Sequence, residues 1–272
     1  MKNNPLTVIK VGGRVIEEDQ PLELLLTRFA AVAGPKILVH GGGRSATTLA
    51  RQLGIETHMV DGRRITDLPT LRIAAMVYGG WINKSIVARL QARGIDALGV
   101  TGADMDIIRS ERRPVREIDY GYVGDVTHVR ADIFCRLIEQ GHVPVIAPLT
   151  HDGHGSLLNT NADTIAAETA IALASFFDVT LIYCFEERGV LRNPADPDSV
   201  IDSLTPDSFR HYVDEGVISG GMIPKLENAF RAITAGVVQV QITNPDNLSP
   251  LGISPDSSSS GTRLHHSSHS RQ

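Results

Sequence analysis

The sequence has few of the residues that mark several protein classes. Its two cysteines, Cys135 and Cys184, are too few for a disulfide framework. Both stand in apolar segments, so we expect unpaired core residues, as in proteins of a reducing compartment. No apolar run approaches the length of about 20 residues that a transmembrane helix needs. The net charge of -5, with both signs interspersed, indicates no basic face for nucleic acid or an anionic membrane. We therefore expect a cytoplasmic protein that binds small molecules, with no signal peptide before the first strand.

Apolar periodicity predicts an alternation of strands and helices. Residues 6–11 and 36–40 are continuous β-forming runs, and each is followed by a helical pattern, over residues 20–33 and 45–53. Such alternation is typical of a mainly parallel sheet. The composition, 42% hydrophobic and 21% charged, is ordinary for a globular protein of 272 residues. We therefore predict an α/β fold in a single domain.

Three later stretches interrupt this alternation. A long helical pattern over residues 68–92 contains Gly79, Gly80 and the only tryptophan, Trp81, so it reads either as a partner surface or as a break between two helices. Residues 101–126 hold short strand-like pieces with no helix between them, which favours an antiparallel flap. From residue 244 onward Asn, Pro, Ser and Gly dominate, and we expect residues 254–261 to be mobile and residues 265–272 to be a disordered tail.

Two predicted strands end in glycine turns, Lys10-Val11-Gly12-Gly13 and His40-Gly41-Gly42-Gly43. Backbone N–H groups in such turns can approach an anion closely, although a tight structural turn would have the same composition. Neither turn fits a Walker A or a Gly-x-Gly-x-x-Gly pattern. Two glycine-lined strand ends suggest one shared ligand. In the second turn, alanine in place of glycine is expected to block close approach more than it destabilises the fold.

Charged and polar residues near other predicted element ends are candidates for the same site. Lys10 ends a central strand, and Lys225 is predicted to start a helix, where the helix dipole disfavours a cation unless an anion lies nearby. Asn161 and Asp163 stand at a strand-to-helix junction. Each residue also has a simpler interpretation, since Lys10 would be solvated, Asn161 would be a helix cap and Asp163 a first-turn acid.

The motifs taken together and in order resemble the amino-acid kinase family, over roughly residues 6–243. The resemblance is to the branch that phosphorylates N-acetylglutamate, and it rests on Lys10-Val11-Gly12-Gly13, His40-Gly41-Gly42-Gly43, Asp61-Gly62-Arg63-Arg64-Ile65-Thr66, Tyr122-Val123-Gly124-Asp125-Val126, Asn159-Thr160-Asn161-Ala162-Asp163 and Gly220-Gly221-Met222-Ile223-Pro224-Lys225, with a weaker Gly261-Thr262-Arg263. It implies a three-layer αβα sandwich around a mainly parallel central sheet. Within the single domain, residues 1–272, it implies an acylglutamate-binding and dimerisation lobe (1–175) and a nucleotide-binding lobe (176–264).

The resemblance also implies a reaction and roles for individual residues. ATP would phosphorylate the γ-carboxylate of an N-acylated glutamate for arginine synthesis, with Mg²⁺ carried on the nucleotide rather than in a protein cage. The catalytic group would be Lys10 and Lys225 as transition-state stabilisers, with Asp163 holding them. The remaining roles would be phosphate binding by Gly12 and Gly13, substrate binding by Gly42, Gly43, Arg64 and Asn159, and nucleotide binding by Glu186, Gly189, Gly221 and Met222.

The chain departs from the family pattern in ways that leave alternatives open. The segment 184–189 lacks the usual aspartate-containing loop, which favours a non-catalytic binding module as the rival function. No segment typical of arginine-inhibited relatives is present, so we expect a homodimer through the helix carrying Trp81 rather than a ring hexamer. The acyl group is not fixed either, because Arg63 is a candidate partner for the extra carboxylate of N-succinylglutamate, or simply a solvated turn arginine. A nicotinamide dehydrogenase is a more distant alternative.

Overall fold

A computed structural model describes residues 4–60, 63–248 and 261–265 of the chain. Its centre is an eight-stranded sheet whose neighbouring strands all run parallel except one antiparallel pair near an edge. The strands, in spatial order, are β12 (Ser203–Leu204), β14 (Thr262–Leu264), β13 (Gln239–Thr243), β11 (Asp178–Cys184), β1 (Pro5–Val11), β2 (Lys36–His40), β8 (Val143–Ile146) and β5 (Ala97–Val100). The antiparallel pair is β13 with β14.

Alternate side chains of the central strands enter two separate cores, one on each face of the sheet. In β1, Leu6 and Val8 belong to the first core, whereas Ile9 and Val11 belong to the second. The first core is covered by α6 (Ala131–Glu139), α7 (Ala162–Leu173), α8 (Pro206–Asp214) and α9 (Met222–Thr234). The second is covered mainly by α2 (Asp19–Ala31), α3 (Gly43–Gln52), α4 (Leu68–Ala74) and α5 (Asn83–Gln91), with the short α1 (Arg14–Glu17) beside them. The predicted three-layer αβα sandwich is confirmed.

A second, four-stranded sheet stands beside the main one. Its order is β10 (Leu157–Asn159), β9 (Leu149–His151), β6 (Ile108–Arg112) and β7 (Gly124–Val129), and β6 pairs antiparallel with β7. This pair confirms the antiparallel flap predicted for residues 101–126. A hairpin of β3 (Met59–Val60) and β4 (Arg63–Arg64) lies nearby, while Asp61 and Gly62 of its turn are outside the described residues.

The helix that carries the tryptophan is not broken at its glycine pair. Between α4 and α5 the chain continues as a π-helical segment, Ala75–Ile82, so of the two interpretations left open by the sequence, the break between two helices is excluded. A Cβ atom on Gly79 would lie 3.3 Å from Leu149 Cδ1, while one on Gly80 would meet nothing within 4 Å. Trp81 in this segment is 75% exposed. The wider helix therefore packs Gly79 against β9 and turns a large aromatic side chain outward.

Two predicted boundaries are also wrong. Helix α9 begins at Met222, so Lys225 is its fourth residue rather than its first, and the helix-dipole argument for Lys225 loses force. The stretch expected to be mobile reaches Gly261, yet Gly261 enters β14 with φ +113°, and a Cβ there would overlap the carbonyl oxygen of Ile242. Residues 254–260 and 266–272 lie outside the described residues.

The main sheet runs across the two lobes expected from the sequence. Strand β1 from residues 1–175 pairs along its whole length with β11 from residues 176–264, so the division into lobes stays a prediction. Both cysteines are free, as expected, and burial raises the pKa of the Cys184 thiol. Within the ranges described above, no helix is long and apolar enough to cross a membrane.

Candidate active site

The two glycine turns meet at one edge of the main sheet. Strands β1 and β2 are parallel neighbours, with Val11 opposite His40, so both turns leave the sheet at its carboxyl edge. The Gly41 N–H donates a hydrogen bond of 3.0 Å to the carbonyl oxygen of Val11, which joins the turns directly. Ligands of open α/β sheets gather at this edge. The structure therefore brings together the two turns that the sequence placed far apart.

A cleft opens between this edge, the β3–β4 hairpin and the second sheet. Its polar walls come from all three parts, and it contains most of the substrate-side residues singled out from the sequence. The cleft is lined by Lys10, Gly41, Gly42, Gly43, Met59, Arg63, Arg64, Tyr78, Val123, Pro148, Asn159, Thr160, Asn161, Ala162 and Asp163. Tyr78 and Pro148 are wall residues that sequence reasoning missed, since nothing in their local pattern separates them from core positions, whereas Val123 stands in one of the quoted motifs but had no assigned role.

Opposite charges are concentrated at the base of the cleft. Lys10, only 8% exposed, places its Nζ atom 2.7 Å from Asp163 Oδ1. Burial would raise the pKa of Asp163, but the charges of Lys10 and Lys225 outweigh burial and hold that pKa below 3.8. Burial lowers the pKa of Lys225, as does the charge of Lys10, while Asp163 and Glu186 oppose this. One carboxylate thus lies within the field of two ammonium groups, which predicts affinity for a further anion.

Local structure fixes each member of this cluster. Asn161 caps α7, and its Oδ1 accepts hydrogen bonds from the N–H groups of Asp163 at 2.8 Å and Thr164 at 3.2 Å. The capping interpretation of Asn161 is therefore confirmed, and the helix dipole favours the charge of Asp163. Lys225 Nζ lies 4.0 Å from the centre of the Phe185 ring, a cation–π contact. No local pattern indicates this contact, because Phe185 stands in the loop that departs from the family pattern.

The first glycine turn is already occupied by protein groups. A Cβ on Gly12 would lie 2.5 Å from Lys10 Nζ, so glycine there leaves room for the ammonium group. The Gly12 N–H donates to the carbonyl oxygen of Cys184 at 3.3 Å. Gly13 has φ +63°, and the Glu186 carboxylate covers its α-carbon while accepting a 2.5 Å hydrogen bond from the Arg14 N–H. Phosphate binding by Gly12 and Gly13 stays a prediction.

The wall of the cleft contains a buried guanidinium, that of Arg64. It is 9% exposed, and its Nη2 atom donates 2.8 Å hydrogen bonds to the Gly43 carbonyl oxygen and to Thr47 Oγ1. Its Nη1 atom is buried and has no hydrogen-bond partner among the residues described. Burial raises the pKa of the neighbouring Tyr78, and the Arg64 guanidinium, through its charge and its contact with the phenol group, offsets this only in part. A buried guanidinium nitrogen without a partner is costly, unless a ligand such as a carboxylate completes it.

The second glycine turn and Asn159 form the wall next to Arg64. Gly42 has φ +151°, and a Cβ on it would overlap Ile82 Cδ1. Gly43 starts α3, so its N–H lies at a helix N-terminus. Asn159 Nδ2 donates to Thr66 Oγ1 at 3.0 Å, which orients the amide at the cleft. All four predicted substrate-binding residues, Arg64 included, therefore line the same cleft.

The predicted nucleotide-binding residues lie apart from this wall. A Cβ on the buried Gly189 would lie 2.7 Å from Thr262 Oγ1, so this glycine allows β14 to approach closely. Gly221 is exposed at the start of α9, and Met222 packs against the first core. Only Glu186 reaches the charged cluster, through the Coulomb interaction with Lys225. Nucleotide binding by these residues stays a prediction.

Known proteins resemble this chain in sequence and in fold. The sequence profile described as "Amino acid kinase family" matches residues 5–244. A protein of Phocaeicola vulgatus named acetylglutamate kinase is 65% identical over 238 residues, covering 88% of this chain and 93% of that protein. A crystal structure from Streptococcus mutans superimposes with a TM-score of 0.77 at 27% identity, covering 97% and 99% of the two chains. An N-acetylglutamate synthase structure from Neisseria gonorrhoeae has a TM-score of 0.79 at 21% identity, covering 95% of this chain and 59% of that one.

Proposed function

The chain belongs to the amino acid kinase family, and we propose that it transfers the γ-phosphoryl group of ATP to the γ-carboxylate of N-acetyl-L-glutamate. The product would be N-acetyl-L-glutamyl 5-phosphate, an acyl phosphate of arginine biosynthesis. One observation carries this proposal: the buried guanidinium of Arg64 shares a cleft with the Lys10–Asp163 ion pair. One end of the cleft thus suits a carboxylate, and the other suits a phosphoryl group.

The chemistry needs charge and alignment rather than a general base. A γ-carboxylate is already ionised at neutral pH, so it attacks the γ-phosphorus as it is, and ADP leaves with the electrons of the broken P–O bond. Lys10 and Lys225 then stabilise the negative charge of the transferred group. Asp163 lies 2.7 Å from Lys10 and offsets the repulsion between the ammonium groups of Lys10 and Lys225.

Substrate orientation comes from the opposite wall. Arg64 would bind the α-carboxylate through Nη1, while its Nη2 stays fixed on Gly43 and Thr47. Asn159 would hydrogen-bond the N-acyl amide, and the N–H groups of Gly42 and Gly43 would face the reacting oxygens. A short substrate that is held both at its α-carboxylate and at its reacting carboxylate has its attacking oxygen aligned with the γ-phosphorus.

The nucleotide would bind on the side of Lys225 and Glu186. Glu186 accepts a hydrogen bond from the Arg14 N–H, so a nucleotide phosphate approaching this turn would meet a carboxylate first. Mg²⁺ on the nucleotide phosphates would neutralise part of their charge. Among the residues that the structure covers, no group of three or more His, Cys, Asp or Glu side chains is arranged to hold a metal ion.

We also propose that the protein acts as a cytoplasmic homodimer. Met76 and Trp81, both in the π-helical segment, are 53% and 75% exposed. Large apolar side chains grouped on one exposed helix favour a protein interface. A second copy packed on this helix would also support Tyr78, which lies in the same segment and lines the cleft.

An ADP-release assay with separate acceptors tests the function. We expect turnover with N-acetyl-L-glutamate or N-succinyl-L-glutamate, and none with L-glutamate, L-aspartate or UMP. Absence of turnover with both acylated glutamates would refute the kinase. If calorimetry then detected binding of an acylated glutamate without turnover, the chain would be a binding module instead.

Arg63 makes N-succinyl-L-glutamate the second candidate substrate. Its guanidinium lines the cleft beside Arg64, and burial together with the charge of Arg113 lowers its pKa, with Asp125 acting in the opposite sense. An additional cation would suit the additional carboxylate of a succinyl group. If the succinyl compound is the substrate, Arg63→Gln should lower kcat/KM for it about tenfold, with little effect on the acetyl compound. Equal losses for both would remove this candidate.

A further inference from the structure

A chain of buried polar groups lies directly beneath the second glycine turn. His40, the last residue of β2, is 0% exposed, and Asn83, the first residue of α5, is 1% exposed. Both lie next to the second apolar core, where polar groups are costly unless all their hydrogen bonds are made. Neither residue lines the cleft. Their role must therefore act through the turn that they support.

The direction of every hydrogen bond in this chain is fixed. Asn83 Nδ2 lies 2.9 Å from the Val145 carbonyl oxygen, and Asn83 Oδ1 lies 3.1 Å from Lys84 Nζ. A carbonyl oxygen only accepts and an ammonium group only donates, so the Asn83 amide cannot be reversed. Its second N–H therefore donates to His40 Nε2, at 3.1 Å.

This polarity determines the tautomer of His40. Because Nε2 accepts, the proton of the neutral imidazole is on Nδ1. Nδ1 lies 2.8 Å from the carbonyl oxygen of Gly41, to which it donates. Lys84 is held in turn by a 2.9 Å hydrogen bond to the Gly99 carbonyl oxygen. The Gly41 carbonyl group is thus hydrogen-bonded to His40, and His40 is connected through Asn83 and Lys84 to backbone carbonyl groups of β8 and β5.

Holding this carbonyl also aims an N–H group. The Gly41–Gly42 peptide is trans, and in a trans peptide the C=O and N–H bonds point in opposite directions. The Gly42 N–H therefore points away from His40, and Gly42 lines the cleft. The other nearby backbone groups are used, since the Gly41 N–H donates to Val11 and the Gly42 carbonyl oxygen accepts from Ala46. Within the described residues no protein group accepts a hydrogen bond from the Gly42 N–H.

We infer that His40, fixed by Asn83, is a positioning residue that holds the Gly41–Gly42 peptide with its N–H facing the reacting oxygens. The inference rests on the proposed phosphoryl transfer. A peptide between two glycines rotates easily, because neither residue has a Cβ to restrict it. Without the imidazole, the peptide can turn its carbonyl oxygen toward the substrate and the phosphoryl group. In that orientation the Gly41 carbonyl oxygen replaces the Gly42 N–H as the group facing the transferred phosphoryl group, where negative charge develops in the transition state.

A matched pair of amide substitutions tests this. In His40→Asn the amide nitrogen can take the place of Nδ1 and still donate to Gly41, whereas in His40→Gln the amide reaches the place of Nε2. We expect His40→Asn to keep kcat within about fivefold of the wild type and His40→Gln to lower it about a hundredfold, as for one lost transition-state donor. KM for ATP and for the acylated glutamate should change by less than about threefold in both, because the donor acts on the transition state.

Other outcomes separate this inference from a general packing role. Equal kcat values for the two variants, or a loss that appears only in KM, would overturn it. If neither variant folds, the tautomer of His40 in the wild-type protein tests the inference. ¹⁵N-resolved NMR of the full chain should show a neutral His40 protonated on Nδ1 at pH 7. Protonation on Nε2 would overturn the inference. If the wild type phosphorylates no acylated glutamate, the proposed function fails instead.

Discussion

Alanine at Gly42 and at Gly43 should separate stability from substrate binding. At Gly42 the new Cβ would overlap Ile82 Cδ1 and lie 2.9 Å from Tyr78 Cδ1, in a backbone with φ +151°. Backbone strain of about 1–3 kcal/mol and overpacking of about 1–3 kcal/mol then add to a destabilisation of roughly 2–6 kcal/mol. At roughly 2–3 °C per kcal/mol for a chain of this size, Gly42→Ala should lower Tm by roughly 5–15 °C.

The neighbouring substitution should leave the fold intact. A Cβ on Gly43 has Arg64 Nη2 as its nearest neighbour, at an ordinary contact distance of 3.8 Å. Gly43 is the first residue of α3, and alanine favours a helix over glycine by up to about 1 kcal/mol. The Tm should therefore stay unchanged or rise slightly. The added methyl group lies beside the guanidinium proposed to bind the substrate, so we expect KM for N-acetyl-L-glutamate to rise at least about tenfold, or 1.4 kcal/mol.

Thermal unfolding followed by circular dichroism, together with steady-state kinetics at varied N-acetyl-L-glutamate, measures both effects. We therefore expect alanine to act mainly through blocked approach at Gly43 but mainly through stability at Gly42. The reasoning is refuted if Gly43→Ala loses more than about 5 °C in Tm or keeps the wild-type KM. It is equally refuted if Gly42→Ala unfolds at the wild-type temperature.

Four further perturbations have defined outcomes. Lys10→Met and Lys225→Met should each lower kcat at least about a hundredfold while the circular dichroism spectrum is kept, and near-normal turnover in either variant would show that the replaced lysine does not stabilise the transition state. Arg64→Lys should raise KM for N-acetyl-L-glutamate about tenfold or more in the same kinetic assay, since lysine cannot hold Gly43 and a carboxylate together; an unchanged KM would contradict this. Trp81→Glu should shift the mass measured by light scattering from dimer to monomer, and an unshifted mass would place the interface elsewhere. Burial lowers the pKa of His40 from 6.5 to about 4, so the unfolded state binds a proton at a higher pH than the folded state. The free energy of unfolding, measured with urea, should therefore fall by about 3 kcal/mol as the pH drops from about 6.5 to about 4. His40→Asn should show a smaller fall, and an equal fall would assign the effect to other groups.

The fold was largely predictable because its central strands are continuous apolar runs. Strand β2 was predicted at its observed bounds, and alternation with amphipathic helices indicated the parallel sheet. The π-helical segment was not predictable, since a glycine pair ordinarily indicates a break and only packing of Gly79 on Leu149 shows otherwise. Strand β14 was missed because its pairing with β13 is long-range and its flanking sequence is rich in Ser and Pro.

Residue types in the candidate site were predictable, but their partners were not. Lys10 and Asp163 were selected from element ends, and only the fold shows their 2.7 Å contact. Lys225 was selected through a helix start that proved wrong, since α9 begins at Met222. The free donor on Arg64 and the polar chain through Asn83 depend on burial and on hydrogen-bond direction, which no local pattern encodes.

Hydroxylamine trapping of the product identifies the group that accepts the phosphoryl group. With N-acetyl-L-glutamate, ATP and Mg²⁺, we predict an acyl hydroxamate formed in equal amount to the ADP released, because the carboxylate itself attacks the γ-phosphorus. ADP release without hydroxamate would mean that water or another group accepts the phosphoryl group. That result would contradict an active site built to align an acylglutamate carboxylate.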